Sequence, residues 1–111
     1  MHEEVCKHSE IMVDPKDEAQ VCELFKMLGE ASRLKIVCAL MGTKMCVAHL
    51  AEEIDMEQSA LSHQLKNLRQ AGIVKSEKNG KQVFYSLDDI HVASIIQQAI
   101  DHVGHQRKEG N

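Results

Sequence analysis

The sequence predicts a mainly α-helical chain that carries one small β-hairpin and pairs as a homodimer. Three observations lead there. Apolar residues recur at i, i+3, i+4 and i+7 through most of the 111 residues. The pattern turns strand-like only between Ile73 and Leu87, around an Asn-Gly pair. Four potential metal ligands follow, at a spacing that one copy of the chain cannot close.

The elements read in order as follows. Residues 1–13 are polar and suggest a flexible N-terminal arm, residues 14–106 a single folded domain, and residues 107–111 a polar tail. Asp14-Pro15 is a helix start, with a capping side chain and Pro at the first helical position. This helix should run to Leu28 and bury Val21, Leu24, Phe25 and Leu28, with Gly29 breaking it. Ser32 is the expected cap of a second helix carrying Leu34, Ile36, Val37 and Leu40, closed by Gly42. A short third helix is expected over Val47–Ile54, a turn at Asp55-Met56, and a fourth helix from Glu57 to Ala71, ended by Gly72. Ile73–Glu77 and Gln82–Leu87 read as strands joined at Lys78-Asn79-Gly80. A final helix fills the rest.

Two short helices, a tight turn and a basic hairpin make a winged helix-turn-helix, whose second helix enters the major groove of DNA. On that helix Ala60, Leu61, Leu65 and Leu68 should face inward. Gln58, Ser59, Ser62, His63 and Lys66 are left for solvent or DNA. Ser and Gln suit base edges, whereas Lys66 and Arg69 suit phosphates. The hairpin tip, Lys78 to Lys81, would reach flanking DNA.

The net charge of −4 argues at first against nucleic acid, but its distribution does not. Residues 56–87 hold five Lys/Arg against two Glu, a balance of +3, whereas residues 1–55 hold six basic against eleven acidic, a balance of −5. A basic segment inside an acidic chain is a local electrostatic footprint. No apolar run approaches a membrane span, and His2, Glu3 and Glu4 stand where a signal peptide would be basic. A cytoplasmic protein with no membrane partner is expected. Its four cysteines are then reduced thiols, with Cys22 and Cys38 at apolar helix positions that suggest small core residues. The chain lacks an HExxH motif, a glycine-rich phosphate loop and a nucleophile elbow, so neither an enzyme nor a small organic substrate is expected.

The four ligands are Asp89, His91, His102 and His105. His102 and His105 share one helical face. Eleven residues separate His91 from His102, roughly 16 Å of helical rise. Metal–nitrogen bonds are only about 2 Å long. Two antiparallel helices close what one cannot, with Asp89 and His91 of one copy meeting His102 and His105 of the other. The apolar stripe between the pairs, Val92, Ile95, Ile96, Ala99, Ile100 and Val103, is the surface such a dimer would bury.

Residues 18–107 resemble the ArsR/SmtB family of metal-responsive repressors. LGEASRLKIVCALM is similar to the family's second helix, and SALSHQLKNLRQAGIV to its recognition helix. FYSLDDIHVASIIQQAIDHVGH resembles the final helix of its zinc- and cobalt-sensing efflux repressors. The resemblance implies a homodimer that binds an inverted repeat in double-stranded operator DNA and releases it on binding metal, so that metal efflux genes are expressed. It implies Zn(II) as effector, with Co(II) as a stand-in, held by Asp89, His91, His102 and His105; three imidazoles and a carboxylate suit a closed tetrahedron. It also implies that His102 donates its second ring N–H to a backbone carbonyl near the end of the recognition helix, at Gly72, a bond able to carry the signal.

Some family members bind softer metals through the third helix and the arm. The corresponding residues are Cys46 and His49, with Cys6 and His8, a set suited to Zn(II) or Cd(II). Ala48 and His49 depart from the cadmium/lead pattern at that site. Related nickel sensors resemble the chain in MEQSA and in the final helix, and Met1-His2 would suit Ni(II), yet no histidine follows His105. Two alternatives stay open: a thiol- or persulfide-responsive repressor using Cys38 or Cys46, and a metal-binding protein without DNA function.

Overall fold

The computed structural model describes residues 12–110. Helix α1 spans Pro15–Leu28. Extended Asp14 caps it, accepting from the Lys16 backbone N–H at 3.1 Å, and Pro15 opens the first turn. Met27 and Leu28 are buried, but Val21 and Phe25 are not: Phe25 is 57% exposed. Helix α2 spans Ala31–Ala39 and is capped by Glu30, which accepts from the Arg33 N–H at 3.0 Å. Ser32, the expected cap, already lies inside the helix, because the Glu30 side chain takes the Arg33 N–H and starts the helix two residues earlier. Ile36, Val37 and Leu40 are buried, whereas Leu34 is exposed. Leu40 ends the helix in right-handed geometry, and Gly42 takes its positive φ in the turn beyond.

A two-residue strand, β1 (Met45–Cys46), comes next. It pairs antiparallel with a later strand, Met45 against Tyr85 and Cys46 against Phe84. The small hairpin is thus a three-stranded sheet with β3 in the middle. Two residues are too few to show an alternation of period two, which is why the sequence pattern missed it. Helix α3 (Val47–Ile54) and helix α4 (Gln58–Gln70) form the helix-turn-helix. The turn between them is set by Asp55, the one described non-glycine residue with positive φ, a conformation that short polar side chains tolerate.

Strands β2 (Val74–Asn79) and β3 (Gln82–Leu87) form the wing. Asn79 pairs with Gln82, so the loop is Gly80-Lys81, one residue later than the Asn-Gly reading places it. Gly80 has φ of 67° and Lys81 no positive φ, the arrangement in which glycine takes the first central position of a two-residue turn. Helix α5 runs Ile90–Gly110.

One core joins these elements. Leu61, Leu65 and Leu68 of α4 are fully covered and meet Ile36, Leu40, Leu50 and Ile73. Ala60 does not join them; it lies on the exposed side of α4. Val92 and Ile96 dock the N-terminal half of α5 on this core. Leu65→Ala should cost about 2–5 kcal/mol through lost transfer energy and a residual cavity. Ala60→Ser should stay within roughly 0.5 kcal/mol, as for an exposed site. Urea denaturation of both variants checks the assignment.

Candidate metal centre and nucleic-acid interface

Asp89 immediately precedes α5 and caps it. Its Oδ1 accepts from the backbone N–H of His91 at 3.0 Å and of Val92 at 3.3 Å. Its Oδ2 lies 3.4 Å from His91 Nδ1. The two predicted ligands are therefore adjacent and exposed, at one end of the helix. The His91 side-chain hydrogen bond is the largest influence holding the Asp89 carboxyl below its ordinary 3.8; the Val92 and His91 backbone N–H groups add to it against an opposing desolvation. The pair opens on a groove of about 560 Å³ that also receives Asp17, Gln20 and Glu23 of α1 and Gly72 at the end of α4. Those α1 side chains lie some seventy positions from Asp89, and nothing in the sequence pattern tied them to it.

His102 and His105 lie near the other end of α5, both exposed. His105 lines a second groove, of about 700 Å³, with Leu34, Ile96, Ile100 and Val103. Among the described residues, no three His, Cys, Asp or Glu side chains gather closely enough to hold a metal ion. Two separate pairs of candidate ligands thus stand at the two ends of the helix, the members of each pair on consecutive turns or less. Between them the stripe splits: Val92 and Ile96 are buried, whereas Ala99 is exposed, Ile100 is 47% exposed and Val103 57% exposed. With Val21, Phe25 and Leu34, these form apolar surface that the chain's own core does not use. One carboxylate and three imidazoles fit a tetrahedral Zn(II) set.

The exposed face of α4 and the wing tip are polar and basic. Gln58, Ser59, Ser62, His63 and Lys66 are all exposed on α4. The inward leucines turn this row outward by helical periodicity. Ser59 Oγ donates to Glu57 Oε1 at 3.1 Å at the helix start. Arg69 Nη1 donates to Ser76 Oγ at 3.0 Å, which ties the end of α4 to the wing. Lys78 and Lys81 are exposed at the wing tip. Lys44 stands 3.8 Å from Glu77 and 5.8 Å from the centre of the Phe84 ring, bracing the wing from the β1 side. Deeper in, Arg33 Nε donates to Gln64 Oε1 at 3.2 Å, a contact that sequence reading did not anticipate.

Cys46 and His49 border one shallow depression of about 650 Å³ with Glu52 and Asp55. His49 Nε2 lies 3.7 Å from Glu53 one turn on. Cys6 and His8 fall outside the described residues. Cys22 and Cys38 are exposed rather than core residues. Both stand on the outer side of short helices whose buried sides are filled by larger aliphatics, and partial burial still pushes the Cys38 thiol up from its ordinary 9.0. That lowers its thiolate fraction and disfavours it as a redox switch. Gly72 has φ of 76° where α4 turns into β2, and it borders the Asp89/His91 groove rather than the His102 end. Among the described residues, no helix is long and apolar enough to cross a membrane.

The chain is similar in sequence and fold to known proteins. Residues 30–76 match the model of the bacterial regulatory proteins of the arsR family. The chain is 43% identical to the HTH-type transcriptional regulator NmtR of Mycobacterium tuberculosis, over 84% of this chain and 78% of that protein. The solution structure of apo-NmtR superposes with a TM-score of 0.72 at 41% identity, covering 87% of this chain and 82% of the other. A transcriptional repressor SmtB homologue of Synechocystis is 40% identical over 78% of this chain and 67% of its own length. A cadmium resistance regulatory protein, a CadC homologue of Staphylococcus aureus, is 33% identical over 92% and 85%.

Because the Asp89 carboxyl is depressed in the fold, it contributes stability above its unfolded value. That contribution is lost as pH falls through the folded value. Asp89→Ala should therefore lower the melting temperature at pH 7, with helical signal lost from the first turn of α5. The gap between variant and wild type should shrink as pH falls below about 4. Thermal melts followed by circular dichroism across pH test this; a gap constant down to pH 3 would contradict it.

Proposed function

The chain belongs to the ArsR/SmtB family of metal-sensing transcriptional repressors, and on that premise we propose that it is a zinc- or cobalt-responsive member whose sensing sites lie between the final helices of two copies. The observation that carries this reading is the split of Asp89/His91 and His102/His105 into two exposed half-sites on one helix, with bare apolar surface between them. Asp89 and His91 of one copy would hold Zn(II) with His102 and His105 of the other. When bound, the metal supplies a rigid cross-link between the two α5 helices. Four protein ligands leave no open coordination position, which suits sensing rather than hydrolysis.

The rest follows from this chain's residues. As a homodimer it would set two α4 helices into successive major grooves of operator DNA, roughly 34 Å apart. Gln58, Ser59, Ser62 and His63 would meet base edges, and Lys66, Arg69, Lys78 and Lys81 phosphates. His102, once its ring is oriented by ligation, would donate its remaining N–H to the Gly72 carbonyl of the copy it faces. The Asp89/His91 groove that Gly72 borders is the place where the second copy's His102 would arrive. A coupling of about 3 kcal/mol through that bond would change DNA affinity roughly 150-fold. The chain would thus repress metal efflux genes in the cytoplasm and release them when metal rises. The depression shared by Cys46 and His49, with the cadmium resistance relative, supports a second reading in which a further site near the arm, with Cys6 and His8, senses Cd(II).

Fluorescence anisotropy of a labelled inverted repeat from the chain's own promoter tests the first reading. Zn(II) should weaken wild-type binding at least about tenfold, and His102→Gln should still take up metal yet stay on DNA. Normal release by that variant would remove His102 from the route. Wild-type binding indifferent to Zn(II) and Co(II) but sensitive to Cd(II), with the sensitivity lost in Cys46→Ser, would favour the second reading. Co(II) absorption separates a four-coordinate site from the six-coordinate set that Ni(II) prefers.

A further inference from the structure

Two polar side chains have no part in the scheme so far. Arg33, in the first turn of α2, donates to Gln64 on α4, and the bond is part-buried. It joins residues 31 positions apart, whereas the Arg69–Ser76 bond at the end of α4 spans seven. Leu61, Leu65 and Leu68 fix how deeply α4 sits, but apolar contacts have little directionality. A hydrogen bond is directional and weakens steeply off-axis. Gln64 stands half-buried on the flank of α4, on the far side of the buried leucines from the exposed row of Gln58, Ser62 and Lys66. Its bond is thus placed to hold the roll of the helix about its axis. Arg33 is itself anchored, since its backbone N–H is capped by Glu30. The next residue, Leu34, lines the groove with Ile96, Ile100 and Val103 of α5. Adjacent residues of one helical turn therefore meet the DNA-reading helix on one side and the metal-bearing helix on the other.

We propose that Arg33 is a positioning residue for DNA recognition, which sets the roll of α4 through Gln64 and links it, through the first turn of α2, to the face of α5 beside His105. This rests on the repressor reading. It differs from a phosphate contact in what salt reveals. A side chain that neutralises a phosphate adds nearly one unit to the salt slope of binding, whereas one that orients another helix adds nothing.

The test uses the full chain with Arg33→Met, Gln64→Met and the double variant, on the promoter inverted repeat and on a random duplex of equal length, across a salt series. Each single variant should bind the inverted repeat about tenfold more weakly, in line with loss of one hydrogen bond to a charged group. The double variant should be no weaker than either single. Random-duplex affinity and the salt slope should not change. Backbone amide shifts of α4 should move in both single variants without loss of the folded spectrum. Gln64→Met alters a partly exposed side chain, so it keeps the experiment decisive even if Arg33→Met unfolds. Single variants within twofold of wild type, effects that multiply in the double variant, or a slope reduced by about one in Arg33→Met would each overturn the proposal. If the wild-type chain does not prefer the inverted repeat, the repressor reading itself falls and takes this inference with it. Unmoved α4 amides on a wild-type chain that does prefer it sink the inference alone.

Discussion

Between His91 and His102 an α-helix rises roughly 16 Å and does not fold back. The two halves of the proposed ligand set are therefore held apart by the same backbone hydrogen bonds that make α5 a helix. Val92 and Ile96 hold the first half of α5 against the core, which places Asp89 and His91 beside the end of α4. Ile100 and Val103 leave the second half bare, beside His105. A helix docked over half its length and apolar over the rest is incomplete as a monomer, and under the proposed function a second copy would supply both the missing ligands and the missing cover.

The exposed row of α4 depends on the same core. Three leucines sink α4 to a fixed depth, and their spacing turns Gln58, Ser62 and Lys66 outward as a row. The wing is held through neighbouring residues of β2, Ser76 by Arg69 of α4 and Glu77 by Lys44, which also stands over the Phe84 ring. Exposed pairs of this kind add little stability. What they tie together is the end of α4, the wing and the residue before β1.

Much of this was legible in the sequence, and the misses share a cause. The five helices follow from capping residues, glycines and apolar period, which are local signals. The period says that Val21, Phe25, Leu34, Ile100 and Val103 need cover, but not whether the cover comes from the same chain; in the monomer it does not. Cys22, Cys38 and Ala60 were placed inside by the same pattern, yet larger aliphatics take the buried positions beside them. The cap at Glu30 and the turn at Gly80-Lys81 were each displaced by one or two residues, where competing donors or glycines stand next to one another. Strand β1 owes its existence to a partner forty residues away. The four candidate ligands at and along α5 stand out in the sequence because helical spacing alone shows that one copy cannot bring them together; Arg33 and Gln64 do not, because no local pattern joins them.

The central claim, that each metal site takes two ligands from each of two copies, is tested most directly by mixing two defective chains. One carries Asp89→Ala and His91→Ala, the other His102→Ala and His105→Ala. Neither should bind Zn(II) tightly alone. Refolded together, they should recover one high-affinity site per mixed dimer, since the intact halves of the two chains then face each other, and a calorimetric titration would read half the wild-type stoichiometry in that species. No recovery on mixing, or tight zinc binding by either variant alone, would contradict a site shared between copies.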